Sequence, residues 1–262
     1  MPSVDVFLPG VVDVSADATW DRLVLPEQCI QRLHEFVSWV THRPKVELEW
    51  KFKVRGGPIA LFSGPSGTGK TLAAEVLANT LDLPLYRVDL GRLISKYIGE
   101  TEKNLNALFE ASTNEPMLLF FDELDCCFGE RNEVRDSHHR YANLEVNYLL
   151  TRLESYKGPA ILTTNLRQGI DPAFIRRCQM VVEFPFPSQV EREQIWRLHL
   201  PEGAPIDEDV DTEKLARESE LTGGQIRNTT VRAAFLAAGE SSAITSKHII
   251  SSIQEELAKT VS

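Results

Sequence analysis

The chain has 262 residues, 42% of them hydrophobic, and a formal net charge of -10. That length suits one large domain, or one with a small appendage, and the apolar content is enough for a core. The acidic balance argues against a general nucleic-acid binder, and no apolar run approaches the ~20 residues a membrane-spanning helix needs.

Asp5, Asp13, Asp17 and Asp21 precede the first basic residue, Arg22, where a signal peptide would need a charged start and an apolar run. The expectation is a cytoplasmic protein with no membrane partner. Cys29, Cys126, Cys127 and Cys178 lack paired C-x-x-C spacing and read as reduced thiols. Residues 1–19 carry prolines and aspartates without a sustained period and read as an N-terminal arm. From Pro26, apolar residues Ile30, Leu33, Val37 and Val40 recur at helical spacing until Pro44. Gly56-Gly57-Pro58 turns the chain into a buried strand ending at Ser63, and an amphipathic helix follows from Thr71 to Asn79.

Between that strand and helix lies Gly64-Pro65-Ser66-Gly67-Thr68-Gly69-Lys70-Thr71, a match to G-x-x-x-x-G-K-[ST] in the context the motif requires. Glycines let the backbone curl so that successive N–H groups point inward, and a helix N-terminus adds its positive dipole end. A phosphate chain fits there, with Lys70 reaching the β and γ phosphates and Thr71 offering its hydroxyl to Mg2+. Leu72, the next residue of the helix, belongs to the same cradle.

Leu83 to Val88 reads as a short strand, 90–101 as a loop-rich connection and Asn104 to Ala111 as a helix. Met117 to Phe121 is an uninterrupted apolar run, as expected of a central strand covered on both faces, and it ends in Asp122-Glu123. A helix from about Tyr141 to Glu154 precedes the strand Ala160 to Thr164, which ends at Asn165. A short helix from Asp171-Pro172 runs into Arg176-Arg177, and Met180 to Phe184 makes a fifth strand. The βα alternation predicts an α/β fold, an open, mostly parallel sheet sandwiched by helices, over residues 20–187.

From Ser188 the pattern turns helical: Ser188-x-x-Glu191 is a capping box, and helical patterns cover 188–199, 211–238 with a break at Gly223-Gly224, and 245–258. Residues 188–262 are therefore expected to form a small all-α lid domain.

Ligands of a parallel sheet bind at the carboxyl ends of its strands, and the glycine-rich loop, Asp122-Glu123, Asn165 and Arg176-Arg177 all fall at or just beyond such ends. In that setting Asp122 would hold the metal through water, and Glu123 would orient and deprotonate a water for attack on the γ-phosphorus. Asn165 would hydrogen-bond that water or the γ-phosphate. Elsewhere such an acid pair can merely cap a helix, and an asparagine can merely make a turn.

Together these residues resemble the AAA+ ATPases, specifically the AAA-type branch of the P-loop NTPases. Gly64 to Thr71 matches Walker A, Leu118 to Asp125 matches Walker B, and Asn165 matches sensor 1. The resemblance implies that Leu23 and Val24, in a segment lacking its usual paired glycines, meet the adenine together with Gly224. It also implies that Arg176 and Arg177 reach the nucleotide of a neighbouring subunit, although exposed arginines also make local ion pairs. Ser95 to Glu100 resembles an aromatic pore loop, in which Lys96, Tyr97 and Ile98 would grip a polypeptide. Gln225 stands where many relatives carry the sensor 2 arginine, and Arg227 reads as a solvated lid residue. His138-His139 suggests a loop facing the pore or a neighbouring subunit, since no third metal ligand has a recognisable spacing. The run from Phe128 to Asn143 is similar to short bacterial ATPases encoded with phage-tail-like contractile injection particles.

The resemblance implies a Mg2+-dependent ATPase that assembles into a homo-oligomeric ring, expected as a hexamer, and remodels or threads a protein substrate or adaptor. A contractile injection particle would be its setting. A nucleotide-gated assembly module, in which ATP state controls complex formation without threading, is the alternative.

Overall fold

A computed structural model of the chain describes residues 10–14, 18–90, 100–127, 148–165, 175–200 and 203–259. Lys96, Tyr97, Ile98, His138, His139 and residues 171–174 lie outside the described residues. The chain forms two compact units: one from Met1–Trp20, Glu27–Gly64 and Lys70–Phe184, the other from Asp21–Pro26, Pro65–Gly69 and Pro185–Ser262.

The first unit is built on a six-stranded sheet with the strand order β1-β3-β4-β5-β2-β6. Its strands are β1 (Val11–Val14), β2 (Ile59–Ser63), β3 (Leu85–Asp89), β4 (Leu118–Asp122), β5 (Ala160–Thr164) and β6 (Met180–Glu183). All pairings are parallel except that of β1, which runs antiparallel to β3. Crossover connections put helices on the sheet faces, so inner strands are buried on both sides and read as continuous apolar runs. β4 shows this: Leu118, Leu119, Phe120 and Phe121 are all buried. The helices of this unit are α1 (Glu27–Pro44), α2 (Lys70–Leu81), α3 (Glu100–Asn114) and a helical stretch over residues 148–155. Ile59, Leu61, Val88, Leu105, Leu119 and Phe121 belong to one continuous core.

The expected N-terminal arm supplies a strand: Val11–Val14 pairs with Leu85–Val88 at the sheet edge. Val-Val-Asp-Val is too short to show a period, and its conformation is decided by the open edge of β3, which lies far off in sequence.

The second unit contains α4 (Gln189–His199), α5 (Thr212–Glu218), α6 (Gly223–Gly239) and α7 (Ser246–Ala258). The capping box read from sequence is present, with Ser188 accepting from the Glu191 N–H and the Glu191 side chain accepting from the Ser188 N–H. The helical break lies at Ser219–Thr222, not at the glycines. Gly223 and Gly224 instead open α6, because Thr222 caps it by accepting from the Gln225 N–H while the Gln225 side chain accepts in return. Trp196, Ile226, Ala233 and Ile249 lie at the centre of this unit's core, and Val24 packs against it.

Candidate nucleotide site

In the sheet unit, β2 delivers Gly64 and α2 begins at Lys70. Gly64 has φ +143, and a Cβ built on it would stand 2.1 Å from the Phe184 carbonyl oxygen, so only glycine fits the exit from β2. The Lys70 side chain is buried, and its Nζ donates to the Gly64 carbonyl at 2.7 Å and to Asn165 Oδ1 at 2.9 Å. Burial pushes its pKa below the usual lysine value, opposed by the carboxylates of Asp122, Asp125 and Glu123. The first helical residue of α2 is thus a cation held among acceptors at the carboxyl ends of β4 and β5.

The last two residues of β5 organise the acids. The Thr163 hydroxyl donates to Asp122 Oδ1 at 2.6 Å, and the Thr164 hydroxyl donates to Asp125 Oδ1. Both threonines are buried, where an unpaired hydroxyl would be costly, so each fixes a carboxylate while satisfying itself. Asp125 also accepts the Asn165 N–H through both oxygens, at 3.1 and 2.9 Å. One carboxylate therefore holds the backbone of the residue whose side chain accepts from Lys70. Glu123 is exposed and has φ +53, a left-handed conformation that costs a non-glycine residue of order 1 kcal/mol. Its N–H donates to Asp122 Oδ1 and Thr163 Oγ1, both at 3.1 Å, and this holds the bend.

In the helical unit, Gly67 has φ +76 and its carbonyl accepts the Gly224 N–H at 2.9 Å. Thr68 is buried and its hydroxyl donates to the Pro65 carbonyl at 2.8 Å. Ser66 is exposed, and a Cβ built on Gly69 would meet Leu23 Cδ1 at 3.7 Å. Leu23 is thus a neighbour of Gly69, and Gly224 of Gly67, across long stretches of sequence. His199, at the end of α4, has its pKa lowered by burial and then by the charges of Arg227 and Arg22.

Arg177 forms an ion pair with Glu154 inside its own chain, and Arg176 is exposed. Thr71 and Leu72, in the first turn of α2, are partly buried. Sequence reading gave no role to Arg87, Thr163, Thr222 or His199, and took Asp125 only as the end of the Leu118 to Asp125 match. Asp125 had a signal, since it lies two residues beyond the acid pair that ends an apolar strand. The threonines looked like ordinary strand residues.

The donor set suits magnesium. Among the described residues no cluster of three or more His, Cys, Asp or Glu forms a cage. Magnesium is commonly held by only one or two carboxylates, completing its octahedron with water and phosphate oxygens. Asp122, at the end of β4, and Thr71, in the first turn of α2, are donors of that kind.

A parallel sheet whose second strand runs through this glycine-rich loop into a helix opened by a buried lysine defines a P-loop nucleoside-triphosphatase fold. Residues 60–186 match the family described as "ATPase family associated with various cellular activities (AAA)". The chain belongs to that family of ATPases. It is 34% identical over 229 residues to the cell division cycle protein 48 homolog of Archaeoglobus fulgidus, covering 84% of this chain and 31% of that protein. It is 43% identical over 129 residues to an uncharacterized AAA family ATPase, y4kL, of Sinorhizobium fredii, covering 48% of this chain and 38% of that one. It is 30% identical over 237 residues to the proteasome-activating nucleotidase of Methanopyrus kandleri, covering 87% of this chain and 54% of that one. The chain thus spans about a third to a half of the length of these relatives. Among the described residues no helix is long and apolar enough to cross a membrane.

Proposed function

We propose that the chain binds ATP with Mg2+ at residues 64–72, hydrolyses it, and works as a ring that remodels a protein partner. The observation that carries this reading is the buried Lys70 ammonium, hydrogen-bonded at once to Gly64 and Asn165 and ringed by Asp122, Glu123 and Asp125. A cation in that position is pre-organised for the β and γ phosphates, and its ordering cost is met before nucleotide arrives.

The roles follow from position. N–H groups of Gly64, Pro65's successors Ser66, Gly67, Thr68 and Gly69, and the first turn at Thr71 and Leu72 would hold the phosphates. Thr71 and Asp122 would hold magnesium, whose charge would offset that of the phosphate oxygens. Glu123 accepts a proton from water as its oxygen bonds to the γ-phosphorus and the bond to the ADP oxygen breaks. Asn165, held by Asp125, orients that water or the γ-phosphate. Leu23, Val24 and Gly224 would meet the base. Arg176 and Arg177 would complete a neighbouring copy's site, Arg177 exchanging its Glu154 partner to do so.

Similarity to a protein named as a proteasome-activating nucleotidase supports a protein as the client, and the hexameric ring is what the AAA-type resemblance implies. Lys96, Tyr97 and Ile98 are the proposed grip on it. A contractile injection particle as the setting comes from the wording of residues 128–143 alone, and none of the relatives named above adds to it. The test is Glu123→Gln, which should keep ATP binding and stop turnover. Steady-state hydrolysis at the parent rate would remove Glu123 from its role. Sedimentation of that variant with and without ATP then reads out assembly, which should appear only with nucleotide.

A further inference from the structure

Arg87 has no part in the chemistry described so far, yet its guanidinium lies on the carboxylate proposed to face the metal. β3 and β4 run parallel with Arg87 opposite Phe120 and Asp89 opposite Asp122. Residues two apart in a strand share a face, and directly paired residues stand side by side. The carboxyl ends of these strands therefore bring Asp89 and Asp122 together on one face, with Arg87 one step behind. Arg87 Nη2 reaches Asp122 Oδ2 at 2.6 Å. The Asp122 side chain is only 14% exposed, whereas that of Arg87 is 48% exposed.

The other oxygen, Oδ1, accepts from the Thr163 hydroxyl and the Glu123 N–H. An ionised carboxylate offers roughly four lone-pair sites, so three protein donors leave about one for a further donor. The arrangement defines both the direction in which Asp122 can still accept and the charge it presents there. A cation paired with Asp122 offsets part of its negative charge and repels a second cation nearby.

We propose that Arg87 acts on the metal site through Asp122, taking one of its acceptor sites and offsetting part of its charge, and so sets how much magnesium nucleotide binding requires. This rests on the reading that Asp122 faces magnesium. The orientation of Asp122 survives loss of Arg87, because Thr163 and the Glu123 N–H still hold Oδ1, so removing Arg87 acts chiefly through charge. An ordinary surface ion pair would contribute to stability alone and leave the metal requirement where it was.

The experiment is a fluorescent-ATP titration of the full chain carrying Glu123→Gln, run in chelator and across a magnesium series. It is repeated with Arg87→Gln, Arg87→Ala and Arg87→Lys added. Both neutral variants should reach half-maximal binding at a magnesium concentration about three- to tenfold lower, while affinity in chelator stays at the parent value. Arg87→Lys, which keeps the charge, should restore the parent midpoint. Manganese binding followed by electron paramagnetic resonance on the nucleotide-bound proteins should shift in the same order. A midpoint that stays put or rises in the neutral variants, or a lysine variant that behaves like them, overturns the proposal. If the Glu123→Gln parent itself binds nucleotide without regard to magnesium, the reading of Asp122 fails first. Using two neutral variants, each checked by circular dichroism, guards against reading misfolding as a metal effect.

Discussion

Gly67→Ala probes the link between the glycine-rich loop and α6. The new Cβ would lie 2.6 Å from Thr222 Oγ1 and 3.3 Å from Thr222 Cβ, at a φ of +76. The backbone conformation alone costs an alanine about 1 kcal/mol. Relieving the close contact means moving the hydroxyl that caps α6, and loss of such a cap costs about 1 kcal/mol. Gly67→Ala should therefore destabilise the chain by about 2–3 kcal/mol once both costs and some residual crowding combine. Thr222→Ala should cost about 1 kcal/mol by itself, as a lost N-cap. The double variant should cost about 2 kcal/mol, because the alanine at 222 no longer presents the oxygen that the new methyl strikes. Equilibrium urea unfolding of the four proteins, followed by far-ultraviolet circular dichroism, measures the cycle. Two costs that add to within about 0.5 kcal/mol would refute the steric coupling, since separate sites behave that way. Fluorescent-ATP affinity on the same proteins should fall in Gly67→Ala and partly recover in the double variant.

Asp125→Ala removes the carboxylate that accepts from the Thr164 hydroxyl and the Asn165 N–H, and so loosens the partner of Lys70. It should lower kcat about ten- to a hundredfold with a much smaller change in KM, and Asp125→Asn, which keeps one oxygen acceptor, should recover part of the loss. Equal changes in kcat and KM would argue that Asp125 serves folding alone. His199 has a folded pKa below its ordinary value, so between that value and pH 6.5 the unfolded chain binds more protons than the folded one. Its contribution is therefore lost as pH falls below 6.5, and His199→Asn should flatten the stability profile between pH 7.5 and 5.5; an unchanged slope refutes the assignment.

How much of this was legible depended on how local the cause was. The glycine-rich loop announces itself because its chemistry is confined to eight consecutive residues with their own strand and helix on either side. β4 was equally plain, since burial on both faces writes an apolar run that ends where Asp122 begins. The capping box at Ser188 needs only residues three apart. What sequence could not supply were interactions between distant segments: β1 takes its form from the edge of β3, and the Gly67 carbonyl meets the Gly224 N–H across most of the chain. Gly223-Gly224 misled for a related reason. Glycine pairs favour breaks in general, but here Thr222 and Gln225 close a reciprocal cap that makes the first glycine the start of a helix.

The same distinction separates what sequence and structure each say of the acidic residues. Position after an apolar strand already suggested different roles for Asp122 and Glu123, but it gave no account of what holds each acid, and none of Asp125. Strand β5 holds them differently, because successive side chains of a strand leave on opposite faces, so its terminal Thr163 and Thr164 bind different carboxylates. Asp122 receives one threonine and Arg87, Asp125 receives the other threonine and the Asn165 backbone, and Glu123 receives neither hydroxyl on its own carboxylate in those pairings. Carboxylates pinned by several donors are suited to holding things in place, whereas a base must remain able to take a proton. Glu123, exposed and on a left-handed backbone, is the acid of the three that we propose as the base.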